Sequence, residues 1–269
     1  MTAMDDLRGQ LRDERLPEPV WRMKPLVLSH LAAIILAGSW LWPVTRSWWD
    51  QLDIALFKVL NGSLAYADWW QTLWALGNIR LMDVFSAGLL LVILILWLWG
   101  RPRDVQNMKI AILGALGVFL AVMPQVLHPV IQVWFGYLRR SPTLEVDGAF
   151  WLSKLVPSLH AKDVSISSFP GDHAYILITL MLFFCYLGPR RYAVTISILA
   201  FILMMPRLVG GAHWMTDSVI GGGVPALLAV SWLLATPLGF HMVRKFLPLV
   251  RGIVALIPEW LRIPERMAS

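Results

Sequence analysis

The sequence has 269 residues, of which 58% are hydrophobic and 15% are charged, and its mean hydropathy is +0.64. Soluble domains are nearer half apolar and a quarter charged, so this composition excludes an ordinary soluble protein and favours an integral membrane protein. The net charge is +6, which in a soluble protein would suggest a nucleic-acid partner. Here the basic residues cluster between hydrophobic runs, so membrane topology is the simpler explanation of the positive charge.

Six segments are long and apolar enough to be read as membrane spans, for which about 20 mostly apolar residues are needed. They cover residues 26–44, 81–100, 110–135, 173–187, 192–205 and 214–238. Residues 1–25 have mixed charge and are predicted to be a cytoplasmic extension, and residues 239–269 a basic amphipathic tail at the cytoplasmic surface. The sequence therefore predicts an all-α, polytopic membrane bundle of six helices.

The distribution of Lys and Arg predicts the orientation of this bundle. Fifteen of the 23 basic residues fall in the two terminal segments and the second and fourth connections, and eight fall on the opposite side. Because basic residues concentrate on the cytoplasmic side, both termini are predicted to be cytoplasmic. On the outer side, residues 46–80 carry two tryptophan pairs typical of short interfacial helices, and residues 139–172 form the longest loop.

The segment Arg207-Leu-Val-Gly-Gly-Ala-His213-Trp-Met-Thr-Asp217 is the strongest candidate for chemistry. On a helix, the four-residue spacing of His213 and Asp217 places both side chains on one face. A carboxylate bonded to one imidazole nitrogen leaves the other free to attack, and Arg207 supplies a charge suited to phosphate oxygens. An isolated His–Asp pair of this spacing also occurs as a structural feature.

Two further clusters lie at span boundaries on the same predicted side. In Phe169-Pro-Gly171-Asp-His173, Gly171 permits close backbone approach at a helix start, where an anion can bind, and His173 is placed to protonate a leaving oxygen. Gln132 precedes Arg139 and Arg140, which are suited to a phosphate clamp. Taken singly, the histidine could be an interface residue and the arginines could bind lipid headgroups; the joint pattern favours catalysis.

These three segments resemble the signatures of the type-2 phosphatidic acid phosphatase superfamily. The Arg-x5-His-x3-Asp spacing is similar to the third signature, Pro-Gly-Asp-His to the second, usually Pro-Ser-Gly-His, and the arginine segment to the first, usually Lys-x6-Arg-Pro. Gln132 stands where the superfamily has Lys, and Lys162 is a candidate for the replacement charge. Asp172 beside a phosphate would be repulsive if ionised, so it is expected to point away, pair with an arginine or carry a proton.

The departures resemble a narrower branch, the lipid A 1-diphosphate synthases of Gram-negative inner membranes. The shared features include Ser141–Leu144, Lys162-Asp163 before Ser168–His173, and Asn78-x-Arg80-x-x-Asp83. Arg80 and Arg140 are accordingly expected to contact substrate.

The resemblance implies transfer of a phosphoryl group from undecaprenyl diphosphate to a lipid A phosphate at the periplasmic face, through phosphohistidine at His213. Asp217 would steady the imidazolium, and Arg139, Arg140 and Arg207 would hold the phosphoryl oxygens. His173 would protonate the leaving group and, once neutral, act as a base in the second step. It implies no metal ion or cofactor. The alternatives are a phosphatase acting on undecaprenyl diphosphate or phosphatidylglycerol phosphate and, outside enzymes, a transporter or scaffold. The oligomeric state is left open.

Overall fold

In the computed structural model, which describes residues 19–134 and 137–265, the chain is built from α-helices joined by short 3₁₀ and π-helical segments, with no β-strand among those residues. The α-helices in chain order are α1 Met23–Leu41, α2 Pro43–Gly62, α3 Asp68–Gly77, α4 Arg80–Leu98, α5 Arg103–Pro129, α6 Pro142–Glu145, α7 Leu152–Leu155, α8 Asp172–Leu187, α9 Arg190–Val209, α10 Gly223–Ala235 and α11 Pro237–Leu256. The predicted all-α class is confirmed. Most of the predicted extension at 1–25 lies outside the described residues.

Five helical segments are long and apolar enough to cross a membrane. They are α1, α4, α5 with its continuation to Val133, α9, and the segment Asp217–Ala235 that contains α10. The remaining predicted span corresponds to α8, which has 16 residues and is apolar but shorter than a full crossing requires. The structure therefore supports a multi-pass membrane protein with five full-length candidate spans in its described part, and the count of six is not confirmed.

The segment Asp217–Ala235 lies at the centre of the bundle, where 72% of its most apolar window is buried. It packs against α1 and α8, and α8 packs in turn against α9. The outer faces of α1, α4 and α9 carry exposed apolar side chains, including Ile35, Phe85 and Phe201. Faces of this kind are unfavourable in water and suit contact with lipid.

Two ends of the predicted spans differ in the structure. The third span begins at Arg103 rather than residue 110, and its α-helix ends at Pro129, beyond which a π-helical turn continues to Trp134. The last span ends at Ala235 because Pro237 starts a new helix, α11, whose first turn is capped by the hydroxyl of Thr236 accepting from the Leu238 N–H. Helix α11 buries Val243 and Leu247 in a cluster with α5.

Helix α2 positions much of the candidate site. It has 20 residues, longer than the short helices expected between residues 46 and 80, and begins with Pro43 in its first turn. Its buried residues Asp53, Phe57 and Asn61 are four apart and share one face. Asn61 Nδ2 donates to the carbonyl oxygens of Phe150 and Val209 at 2.9 and 3.0 Å, which fixes α2 against the end of α9.

Candidate active site

A tight turn after α9 ties Arg207 to His213. The carbonyl oxygen of Arg207 accepts from the backbone N–H groups of Ala212 and His213 at 3.0 and 3.2 Å. Gly211 makes the turn with φ of +75°, a conformation that side chains disfavour, and a Cβ there would lie 2.6 Å from Thr143 Cγ2. The six-residue spacing between Arg207 and His213 in the sequence therefore corresponds to this closed turn.

The imidazole of His213 is held by the backbone of the loop before α8. Its Nδ1 lies 2.8 Å from the carbonyl oxygen of Ser168. A carbonyl oxygen can only accept, so Nδ1 carries the hydrogen and Nε2 of the neutral ring carries the lone pair. No described residue forms a hydrogen bond with Nε2, and 18% of the side chain is exposed. The arrangement presents Nε2 as a nucleophile.

Asp217 does not make the predicted hydrogen bond to the imidazole. Its Oδ2 lies 3.6 Å from His213 Nδ1, beyond hydrogen-bond distance, because that oxygen accepts from the Trp214 N–H at 2.8 Å. Trp214 precedes the helical turn that begins at residue 215, so this is the reach-back contact of a capping box. The carboxylate remains close enough to stabilise a positive charge on the ring electrostatically.

Arg139 is clamped by two buried carboxylates. Its Nη2 lies 2.7 Å from Asp53 Oδ2, and its Nη1 lies 3.1 Å from Asp217 Oδ1 and 2.5 Å from Thr216 Oγ1. Thr216 in turn donates its N–H to Asp53 Oδ1 at 3.0 Å and its hydroxyl to Asp53 Oδ2. Burial raises the pKa of the Asp53 carboxyl, although Arg139 and Thr216 lower it. These contacts fix the orientation of the guanidinium, and 12% of the Arg139 side chain remains exposed.

Asp53 was not predicted from the sequence. It lies on α2, in a segment interpreted as interfacial, 86 residues before Arg139. The sequence signal that could have found it is weak: an aspartate on the buried face of an amphipathic segment.

A further carboxylate, that of Asp83, joins Arg207 to His173. Arg207 Nη2 donates to Asp83 Oδ1 and Oδ2 at 2.8 and 3.0 Å, and His173 Nε2 lies 3.2 Å from Oδ1. Arg207 Nη1 also reaches Asn78 Oδ1 at 3.4 Å. Burial and the positive charge of Arg207 disfavour a protonated imidazole at His173, and Asp83 opposes them because a carboxylate accepts a hydrogen bond and favours the positive charge that a general acid needs. Asn78 and Asp83 belong to the motif that suggested Arg80.

Gly171 brings the start of α8 against the turn that carries Asp217. Its N–H donates to the Asp217 carbonyl oxygen at 3.0 Å, and a Cβ at this position would lie only 2.8 Å from that oxygen. The close approach is therefore to backbone, and the Gly171 N–H that was expected to face an anion is used by the Asp217 carbonyl. This contact places the first turn of α8, with His173, beside the loop of His213.

Asp172 pairs with a histidine rather than with an arginine. His128 Nε2, from the end of α5, lies 2.9 Å from Asp172 Oδ1. Gln132, on the following π-helical turn, donates Nε2 to Ser167 Oγ at 2.8 Å and lies 3.5 Å from His128 Nδ1. Gln132 therefore supports the loop before α8, and Asp172 is held away from the arginines.

The other predicted substrate contacts lie outside this hydrogen-bonded cluster. Arg140 directs Nη1 to Glu145 Oε1 at 3.2 Å, because the chain turns into α6 immediately after it. The side chains of Arg80 and Lys162 are exposed and form no ion pair with the described residues. The backbone of Lys162 nevertheless contributes, since its N–H donates to the Asn78 carbonyl and its carbonyl accepts weakly from Arg207.

Comparison with known proteins indicates the family of the chain. Residues 144–243 match the PAP2 superfamily model. The chain is 32% identical to lipid A 1-diphosphate synthase of Escherichia coli (strain K12) over 82% of its own length and 91% of the relative. It is 28% identical to the protein named "Putative undecaprenyl-diphosphatase YbjG" of the same organism, over 64% of its own length and 76% of the relative. No solved structure matches the chain significantly.

The matched region contains His173, Arg207, His213 and Asp217, while Arg139 and the two helices that supply Asp53 and Asp83 precede it. The similarity to the first relative extends over most of the chain and is of moderate identity. The chain belongs to the PAP2 superfamily of phosphatases and phosphotransferases.

Proposed function

We propose that this protein transfers a phosphoryl group from undecaprenyl diphosphate to a phosphate of lipid A, through a phosphohistidine at His213. The observation that carries the proposal is the hydrogen bond between His213 Nδ1 and the Ser168 carbonyl, which leaves Nε2 of the neutral ring unprotonated and without a hydrogen-bond partner among the described residues. Two fixed arginines and a second histidine belong to the surrounding network. This set provides a nucleophile, cations for phosphate oxygens and a proton donor.

In the first step, Nε2 of His213 attacks the terminal phosphorus of the donor. An N–P bond forms, the bond from phosphorus to the bridging oxygen breaks, and undecaprenyl phosphate leaves. The imidazolium of His173, stabilised by Asp83, donates a proton to the leaving oxygen. Arg139 and Arg207 stabilise the charge on the equatorial oxygens, and their carboxylate partners hold them in place before the reaction.

In the second step, a phosphate oxygen of lipid A attacks the phosphohistidine phosphorus. The N–P bond breaks, a new diphosphate forms on lipid A, and His213 returns to its neutral state. The carboxylate of Asp217, 3.6 Å from Nδ1, favours positive charge on the ring during both steps.

The relatives and the charge distribution support the proposed substrates and location. The first relative is named for a lipid A diphosphate product, and the second for action on undecaprenyl diphosphate. The excess of basic residues at the termini supports cytoplasmic ends and a periplasmic site in a Gram-negative inner membrane.

Hydrolysis is the second candidate, because water could replace lipid A as the acceptor after the same first step. The similarity to the relative named for undecaprenyl-diphosphatase favours this alternative. The two candidates share every contact of His213, Arg139 and Arg207, so products distinguish them.

The test is product analysis of the purified protein given radiolabelled undecaprenyl diphosphate, with and without lipid A. We expect label in lipid A, little free phosphate, and an acid-labile label on the protein that is lost in His213→Ala. Free phosphate released equally fast without lipid A would establish the phosphatase alternative. Turnover without any labelled protein would refute the phosphohistidine step.

A further inference from the structure

A cavity of about 440 Å³ lies beside the candidate active site and contains none of its histidines. One wall is the outer-facing part of α2, with Arg46 and Asp50, and the other is the segment 137–146, with Tyr137, Arg140 and Glu145. The cavity is separate from the cluster of Asp83, Arg207 and His173. The family resemblance and the mechanism above give roles to Arg139 and Arg140 of its lining, but none to the cavity itself or to Arg46, Asp50 and Glu145.

Two arginines in this cavity keep donors that the described contacts do not use. Arg46 directs Nε to Asp50 Oδ1 at 2.9 Å and Nη2 to the Tyr137 hydroxyl at 2.8 Å, and its guanidinium lies 4.2 Å from the centre of the Trp40 ring. Nη1 of Arg46 has no such contact. Arg140 uses only Nη1, toward Glu145. A guanidinium has five N–H donors, so both can bind an additional acceptor.

The cavity and the reacting histidine share a wall. Arg139 and Trp214 line the cavity, while Arg139 also donates to Asp217 and Trp214 follows His213 in the chain. The guanidinium of Arg139 lies 4.7 Å from the centre of the Trp214 ring, so the two side chains contact each other at the edge of the cavity. A molecule in the cavity therefore lies directly against the residues that surround His213.

The chemistry of the lining indicates the class of ligand. Three arginines and two carboxylates face the cavity, so a bare phosphate would meet repulsion as well as attraction. A phosphorylated sugar fits both signs, because its phosphate accepts from arginine while its hydroxyl and amide groups donate to carboxylates. The volume of about 440 Å³ is in the range of small-ligand sites and too small for a whole acylated lipid.

We propose that this cavity binds the sugar-phosphate headgroup of the acceptor lipid next to the phosphorylated His213, with Arg46 and Arg140 as its cationic contacts. The inference rests on the proposed phosphotransferase function. Donor binding and formation of the phosphohistidine require the His213 cluster, whereas acceptor binding requires the cavity. The two steps can therefore be measured separately.

The test compares Arg46→Gln, Glu145→Gln and Lys58→Gln in the full chain, reconstituted in nanodiscs. Lys58 is an exposed cation on the same helix and does not line the cavity, so it is the matched control. We expect R46Q to raise the KM for lipid A by about tenfold, equivalent to about 1.4 kcal/mol. E145Q keeps an acceptor oxygen but frees Arg140 from an ion pair, and it should lower that KM by about threefold. Single-turnover labelling of His213 from the donor should stay within about twofold of K58Q for both.

The proposal is overturned if the R46Q acceptor KM stays within about twofold of K58Q, if labelling of His213 falls in parallel with transfer, or if E145Q does not lower the KM. If R46Q does not fold, the KM of E145Q for lipid A still tests the proposal, because residue 145 is exposed. Glucosamine 1-phosphate should compete with lipid A, and inorganic phosphate at equal concentration should not. Equal competition would indicate an anion site without a sugar requirement and would also overturn the proposal.

Failure of the proposed function has a different signature. If wild-type protein carries label on His213 but transfers it only to water, the acceptor assignment is wrong. Direct binding of lipid A to donor-free protein, compared between R46Q and K58Q, then reports on the cavity alone, and equal binding would refute it.

Discussion

The Asp53 carboxylate lies 2.7 Å from Nη2 of Arg139, although the two residues are 86 positions apart in the chain. Asp53 is almost completely buried on α2, and the same carboxylate accepts from the N–H and hydroxyl of Thr216. Because Thr216 immediately precedes Asp217, one carboxylate fixes both the cation and the turn that follows His213. Helix α2 therefore holds two parts of the candidate active site in place.

Replacing Asp53 with Asn should lower the rate of His213 labelling by about tenfold or more, since Arg139 loses a charged partner but keeps Asp217 and Thr216. The measurement is single-turnover transfer of labelled phosphate to the protein, together with thermal unfolding in the same detergent. Asp147→Asn, at an exposed acid in the outer loop, is the control and should behave as wild type. Wild-type labelling in D53N would show that Arg139 needs no second carboxylate.

Asp83→Asn should be more damaging, because one carboxylate serves both Arg207 and His173. Without the charge, Arg207 loses its ion pair and the protonated form of His173 loses its stabilising neighbour. We expect donor cleavage to fall by about 10²-fold, the lower end of what general acid catalysis contributes. The pH profile of labelling checks the cause. As the pH is raised, the protonated form of His173 should be lost at a lower pH in D83N than in wild type.

The matched control for Asp83 is Asp68→Asn, an exposed acid at the start of α3. Loss of rate without any change in the pH profile would restrict Asp83 to orienting Arg207. An unchanged rate in D83N would contradict the assigned link between the two residues.

Local spacing was sufficient to predict part of this site. Arg207, His213 and Asp217 belong to one turn and the start of one helix, so their proximity follows from six- and four-residue spacings. These spacings need no knowledge of how the helices pack. Gly171 was expected to allow close approach of an anion, whereas its N–H contacts the distant Asp217 carbonyl, which local spacing does not indicate.

The partners that hold the site could not be predicted in the same way. Asp53, Asp83 and the Ser168 carbonyl reach their partners across 86, 124 and 45 residues, and such pairings depend on the packing of helices whose apolar faces look alike in sequence. The hydrogen bond expected from Asp217 to His213 was wrong for a related reason: the backbone N–H of Trp214 competes for the same oxygen. Composition predicted the membrane class. The predicted number of six spans is not confirmed, because α8 is shorter than a full membrane crossing.

Gly171→Ala tests the close approach of α8 to the Asp217 turn. A Cβ at residue 171 would lie 2.8 Å from the Asp217 carbonyl oxygen, and backbone atoms can yield only by moving the turn. We expect loss of thermal stability of about 1–3 kcal/mol and at least tenfold slower labelling of His213. Gly62→Ala is the comparison, because a Cβ there meets no atom within 4 Å and alanine favours a helix. G171A with wild-type stability and rate would show that the turn is free to move.

The last prediction separates transfer from hydrolysis by their need for a base. Water must lose a proton as it attacks the phosphohistidine, whereas a lipid A phosphate already presents an ionised oxygen near neutral pH. His173→Ala should therefore slow donor cleavage and hydrolysis, each by about 10²-fold, while transfer from protein labelled slowly beforehand stays close to wild type. To measure this, the variant is first labelled with radioactive donor and the excess donor is removed. Loss of label from the protein is then followed with and without lipid A. A transfer-to-hydrolysis ratio at least about tenfold above wild type is expected, since only the hydrolytic branch loses its base. An unchanged ratio would mean that His173 acts as base toward neither acceptor and serves the first step alone.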